Sequence, residues 1–192
     1  MVALPKEKWT VEAYLAFDSA QPEKHEFFNG EVYAMTGASR RHGQVTGNTF
    51  AALHSQLRKQ PCEIYVAYLR VKVQTNGDYA YPDIAIVCGE PQFERTPLET
   101  LLNPTVLIEV LSPSTEGYDR GIKFQSYRAL DSLREYLLVS QNTAHIEHYT
   151  RQGEQWVLRD VIGLDGVLSL ESIGCTLALA DVYEKVQFDE AD

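Results

Sequence analysis

The chain has 192 residues, 44% of them hydrophobic and 10% aromatic, which suffices for a well-buried core and excludes a disordered polypeptide. Seventeen Lys plus Arg against 27 Asp plus Glu give a net charge of −10, which argues against a broad basic footprint for nucleic acid. No apolar run approaches the roughly 20 residues of a membrane span, and the N-terminus lacks the basic-then-apolar order of a signal peptide, so a cytoplasmic protein with no membrane partner is expected. The three cysteines, Cys62, Cys88 and Cys175, are odd in number, far apart and without C-x-x-C spacing, and read as reduced, mostly buried thiols.

In chain order, Thr10 can cap a short helix through Phe17, and Gln21-Pro22-Glu23-Lys24 breaks it. Asn29-Gly30 stands between two aromatic-rich runs, His25 to Phe28 and Glu31 to Met35, a tight-hairpin signal. Ser39 through Lys59 predicts a longer helix whose first turn carries Arg40, Arg41 and His42. Helix N-termini favour anions, so these residues either meet a phosphate or form an exposed polar turn. Cys62 to Gln74 and Asp78 to Val87 predict two strands joined by the turn Thr75-Asn76-Gly77-Asp78. Lys72 reads there as salt-bridged or solvent-facing. Glu90 to Asn103 predicts a loop or short helix able to act as a lid.

Pro104 to Ser114 contains a second β-branched strand, and Asp119 to Leu130 a helix that puts Arg120, Lys123 and Tyr127 within one arc, with Ile122 and Phe124 starting its buried face. From Arg134 the pattern turns to β through Leu158, and Leu164 to Val186 reads as a closing hairpin or dimer arm, followed by an acidic tail. His145 and His148 bracket Glu147, but His-x-x-His on a strand sends the two rings to opposite faces, which disfavours a shared ion.

The chemistry concentrates between Tyr81 and Lys123. Two short strands buried on both faces each carry one acid, Asp83 and Glu109, and burying a charge without a partner costs several kcal/mol. A cation is therefore expected at their ends. A divalent metal held by Asp83 and Glu109 meets that need, since Mg²⁺ takes one or two carboxylates with water and substrate phosphate completing its shell. Lys123 then arrives from the following helix.

Pro82-Asp83 followed by Glu109-Val110-Leu111 resembles the PD-(D/E)xK motif of the restriction-endonuclease-like nucleases. Within that superfamily, Glu109 to Ser114, Asp119-Arg120 with Lys123, and Arg134 to Val139 are similar to the Uma-two family of bacterial endonucleases, the likeness running from about His25 to Tyr149. The sequence departs from the motif at Leu111, where its lysine should stand, and the family's usual substitute is Lys123. Lys72 is the rival.

The resemblance implies an α/β fold, a central mixed β-sheet flanked by helices, in one domain. Its parts are an N-terminal helix and hairpin over 10–35, a core over 39–140 and a C-terminal β extension over 141–192. It further implies hydrolysis of phosphodiester bonds, most naturally in DNA, with Mg²⁺ or Mn²⁺ as cofactor and a homodimer as the assembly. Asp83, Glu109 and Lys123 carry the site, with Glu26, favoured over Glu31, as an additional acid, and Arg40, His42 and Arg120 reaching the substrate. Two other classes remain open: a degenerate nuclease fold that binds without cutting, and a protein whose buried acids pair internally with Arg120, Arg128 or Lys72.

Overall fold

A computed structural model of the chain describes residues 8–35, 37–73, 77–95 and 98–188. In chain order they form α1 (Val11–Ala20), β1 (His25–Phe28), β2 (Glu31–Ala34), α2 (Arg40–Leu57), β3 (Cys62–Val66), β4 (Arg70–Val73), β5 (Asp78–Ala80) and β6 (Ile84–Cys88). There follow β7 (Phe93–Glu94), β8 (Thr100–Leu101), β9 (Val106–Leu111), α3 (Glu116–Tyr118), a π-helical turn (Asp119–Lys123) and α4 (Phe124–Tyr127). β10 (Glu135–Ser140), β11 (His145–Gln152), β12 (Gln155–Ile162), β13 (Val167–Leu170), β14 (Cys175–Ala178) and α5 (Leu179–Val182) complete the order.

One six-stranded sheet runs β12-β11-β10-β9-β6-β3, and β9 and β10 in its middle are parallel, joined by the helical segment 116–127 as a crossover. β9 is buried at all six positions, and its alternation sorts the two faces. Val106, Ile108 and Val110 join Val45, Leu53 and Leu57 of α2 in one core. Leu107 and Leu111 join Tyr127 of the crossover and Leu130 and Leu133 after it in the other. Glu109 therefore points to the crossover side. The mixed sheet flanked by helices agrees with the α/β expectation.

A second six-stranded sheet, β2-β1-β5-β4-β8-β7, is where the structure departs from the sequence reading. The two long strands expected over 62–74 and 78–87 each break, β3 and β6 staying in the first sheet while β4 and β5 enter the second. The first break falls at Ala67 and Tyr68, both at positive φ, and the second at Tyr81-Pro82-Asp83, where proline has no N–H for a ladder. The residues Thr75 and Asn76 of the expected turn lie outside the described residues. The segment 90–103 contributes β7 and β8 to this second sheet, and none of its described residues lines the cleft described below, so these do not form the expected lid.

Three further elements bear on the sequence reading. The hairpin forms as expected, with Asn29 (φ 52°) and Gly30 (φ 83°) both left-handed, the geometry a two-residue turn needs to match strand twist. The β13-β14 hairpin closes against α2 rather than extending as an arm, and the acidic tail lies outside the described residues. Cys62 and Cys88 form a disulfide instead of staying reduced, because the antiparallel register of β3 and β6 sets them opposite each other with Cα atoms 4.0 Å apart. Cys175 is free and buried, as expected.

Candidate active site

β6 and β9 pair with Ile84 opposite Ile108, so Asp83, one residue before β6, meets Glu109 at the same end of the sheet. The two acids share an open cleft of about 580 Å³ with Glu26, His42, Asp119 and Lys123. Chain positions 26, 42, 83, 109, 119 and 123 are thus brought together by β1, α2, β6, β9 and the crossover.

Lys123 is the centre of this group. Its ammonium lies 2.9 Å from Glu109 Oε1, 3.0 Å from Glu26 Oε1 and 3.5 Å from Asp119 Oδ1, all four side chains being buried. Burial pulls its pKa down, but the charges of Glu109, Glu26 and Asp119 outweigh that and hold it well above the ordinary lysine value. Glu109 also accepts from the Tyr127 hydroxyl at 2.9 Å, and Glu26 from the Tyr81 amide at 2.9 Å. With three carboxylates on one ammonium the site is short of positive charge. Burial, opposed by Lys123 and reinforced by Asp119, Asp83 and Glu26, pushes the Glu109 carboxyl well above its usual range.

Asp83 stands nearer solvent, its side chain 19% exposed, and its Oδ2 accepts from the Val110 amide at 2.7 Å. His42 Nε2 lies 3.2 Å from the same oxygen. Burial pulls the His42 pKa down, but the hydrogen bond and charge of Asp83, with the Val110 backbone and Asp119, raise it overall. The hydrogen bonds of Asp83 fall on Oδ2 and those of Glu109 on Oε1, so each carboxylate engages the protein through one oxygen.

The wide turn Asp119–Lys123 explains how the lysine gets there. A π turn carries an extra residue per turn and shifts the phase of everything after it. Lys123 is consequently buried against Glu109, while Ile122, expected to open the buried face, is 40% exposed.

Two expected substrate residues are not in this group. Arg40 is exposed at the first position of α2 and does not line the cleft. Arg120, one residue into the π turn, points the other way, bonding Glu147 at 2.8 Å and Glu116 at 2.9 Å. Lys72 is paired with Glu94 and Tyr79, outside the cleft, so it does not rival Lys123. The cation that meets the buried acids is therefore neither Arg120 nor Lys72.

The profile of one protein family, whose description reads "Putative restriction endonuclease", matches residues 11–180, nearly the whole chain. The chain belongs to the Uma2 family. Two relatives from Synechocystis sp. (strain ATCC 27184 / PCC 6803 / Kazusa) support this membership, "Uncharacterized protein slr1290" and "Uncharacterized protein sll1609". The first is 34% identical over 96% of this chain and 96% of its own length, the second 34% identical over 85% and 93%. A crystal structure of a "putative nuclease belonging to DUF820" from Anabaena variabilis ATCC 29413 superposes with a TM-score of 0.74 at 16% identity, covering 93% of this chain and 99% of that one. At that identity the likeness concerns the fold. Family and fold together support a nuclease.

In this Uma2 chain the sequence reading overlooked Asp119 as a lysine partner, although its i, i+4 spacing to Lys123 was visible. It also overlooked Tyr118, whose buried hydroxyl finds no hydrogen-bond partner among the described residues while Lys123 sits 5.8 Å from its ring. No signal in the sequence marks Tyr118, because Lys123 comes to its ring only through the π turn that follows it.

Proposed function

We propose that the protein is a metal-dependent nuclease that hydrolyses phosphodiester bonds, with DNA as substrate, Mg²⁺ or Mn²⁺ as cofactor and a homodimer as the working form. The observation that carries this reading is the meeting of Asp83, Glu109 and Lys123, from three separate segments, in one cleft open to solvent.

The donor set fits a hard divalent ion. Asp83 and Glu109 would hold it, since both are carboxylates with one oxygen not engaged by the bonds above, and the surplus of acid over Lys123 leaves a place for positive charge. Among the described residues no three His, Cys, Asp or Glu side chains form a ready-made cage. In the proposed complex, water and the substrate phosphate would complete the shell of an ion held by Asp83 and Glu109. When bound, such an ion polarises a phosphate and lowers the pKa of an attacking water.

The remaining work falls to the chain itself. Lys123, kept protonated by its three acids, offers a compact positive charge where charge grows on the phosphate, or orients the water. Glu26 and Tyr127 fix Lys123 and Glu109 in place, and His42 fixes Asp83. The Tyr118 hydroxyl is a donor left over beside them.

A binding module without catalysis is the competing reading, favoured by Leu111 at the motif's lysine position. Supercoiled plasmid incubated with Mn²⁺ separates the two. The nuclease reading expects nicking that Asp83→Asn abolishes, with saturable Mn²⁺ binding by calorimetry that the same variant loses. Nicking left intact in Asp83→Asn would sink it. Chromatography with light scattering checks the dimer.

A further inference from the structure

The connector between β3 and β4 holds two consecutive non-glycine residues in the left-handed region, Ala67 at φ 35° and Tyr68 at φ 72°. There a Cβ crowds the backbone, and such conformations persist only where the surroundings impose them. The pair is tied to the site through the backbone, because the Ala67 amide donates to the backbone carbonyl of Asp83 at 3.0 Å, one step beyond the β3–β6 ladder. Tyr68 is thereby held at a fixed offset from one of the two acids proposed to carry the chemistry.

The ring held there has no packing role. Tyr68 is 75% exposed, the highest value among the exposed large hydrophobic residues that the structure describes, and it lines the cleft with Met35 and Pro113. Among the described residues its ring makes no aromatic contact and its hydroxyl no hydrogen bond. Strained backbone spent on exposing an aromatic face beside a catalytic cleft points to a ligand with a flat face of its own.

Charge narrows the ligand further. Carboxylates outnumber the two cleft lysines, Lys24 and Lys123, and Lys123 is already surrounded by acids. Counterion release from phosphate contacts, the usual source of duplex affinity, is therefore small here. Stacking of a base on an aromatic ring needs no cation and tolerates any sequence.

We infer that Tyr68 is a nucleobase platform. A base unstacked from its neighbours lies on the ring while its phosphate enters the cleft, so the preferred substrate is nucleic acid with unpaired bases at the scissile step, a single strand or a locally opened duplex. This rests on the nuclease reading above.

Binding is measured in Asp83→Asn protein, which keeps the substrate intact and retains the backbone carbonyl that holds Ala67. The probes are a short single-stranded oligodeoxynucleotide carrying 2-aminopurine and the same oligonucleotide in a perfect duplex. The single strand should bind more tightly than the duplex, with its fluorescence quenched by stacking. Adding Tyr68→Ala should weaken single-strand binding about tenfold and abolish the quench, while Tyr68→Phe should keep both. Tyr68→Gly, which keeps the left-handed turn without strain, should behave as Tyr68→Ala. Equal binding by the Ala and Phe variants, recovery in Tyr68→Gly, or a preference for duplex overturns the platform. Cleavage with Mn²⁺ separates the two ideas. If Lys123→Met abolishes cutting of the single strand and Tyr68→Ala leaves it unchanged, the nuclease stands and the platform falls. If the unaltered chain neither binds nor cuts either probe, the nuclease reading falls and the platform with it.

Discussion

Lys123 carries two burdens that usually conflict. It neutralises Glu26, Glu109 and Asp119 in the fold and is the cation proposed to face the phosphate. Replacing it by Met keeps the stem and removes the charge, leaving three buried acids without their partner. Lys123→Met is expected to lower unfolding free energy by about 3–5 kcal/mol in urea titrations, and nicking per folded molecule by about a hundred- to a thousandfold. Undiminished nicking by the folded fraction would remove Lys123 from the mechanism. Away from the site, Glu135 provides a pH test. Burial raises its pKa, but hydrogen bonds from His148, at 2.5 Å, and from Ser172, at 2.8 Å, take it below the usual carboxylate value. A depressed folded pKa means stability present above the unfolded value and lost as pH falls through the folded one. Glu135→Gln is therefore expected to destabilise by about 1–3 kcal/mol near neutrality and to show a shallower loss on acidification than the unaltered chain. Parallel acid limbs in denaturation at several pH values would refute this.

At the scale of elements, interruptions of regular structure position the site. The π turn rotates Lys123 inward, the left-handed pair Ala67-Tyr68 releases β4 into a second sheet, and Pro82 ends the pairing just before Asp83. The disulfide between β3 and β6 holds the edge strand from which that connector departs. Its 26-residue separation gives an expected loss of about 3 kcal/mol when Cys62 and Cys88 are both changed to Ser, measured by denaturant unfolding under oxidising conditions. The same double variant should match the unaltered chain once reductant is present; a difference there would assign the effect to packing instead of the cross-link.

For the whole molecule, the metal-dependent reading proposed above makes a divalent cation the expected ligand of the acid-rich cleft. A ligand that binds only the folded state at a hundred times its Kd adds about 2.7 kcal/mol. For a chain of this size that corresponds to a rise in melting temperature of about 5–10 °C. Mn²⁺ should produce such a rise in the unaltered chain and none in Asp83→Asn. Equal shifts in both would show that the ion binds elsewhere. Separately, no helix of the described residues is long and apolar enough to cross a membrane.

Much of this was written locally. Buried acids in apolar strands announce themselves, because a run such as Val106-Leu107-Ile108-Glu109-Val110-Leu111 has no packing use for a carboxylate, and the Asn29-Gly30 turn follows from which residues tolerate positive φ. Other features depend on distances between remote segments. Neither the pairing of Cys62 with Cys88, nor the arrival of Glu26 and Lys123 on one another, nor the turning away of Arg120 follows from nearby residues. The amino-acid order alone determined which side chains are too polar for their neighbourhood. Only the tertiary structure decided which of them meet, since strand register and helix phase shift by a single residue at a bulge or break, and one residue is enough to swap the inside of the molecule for its surface.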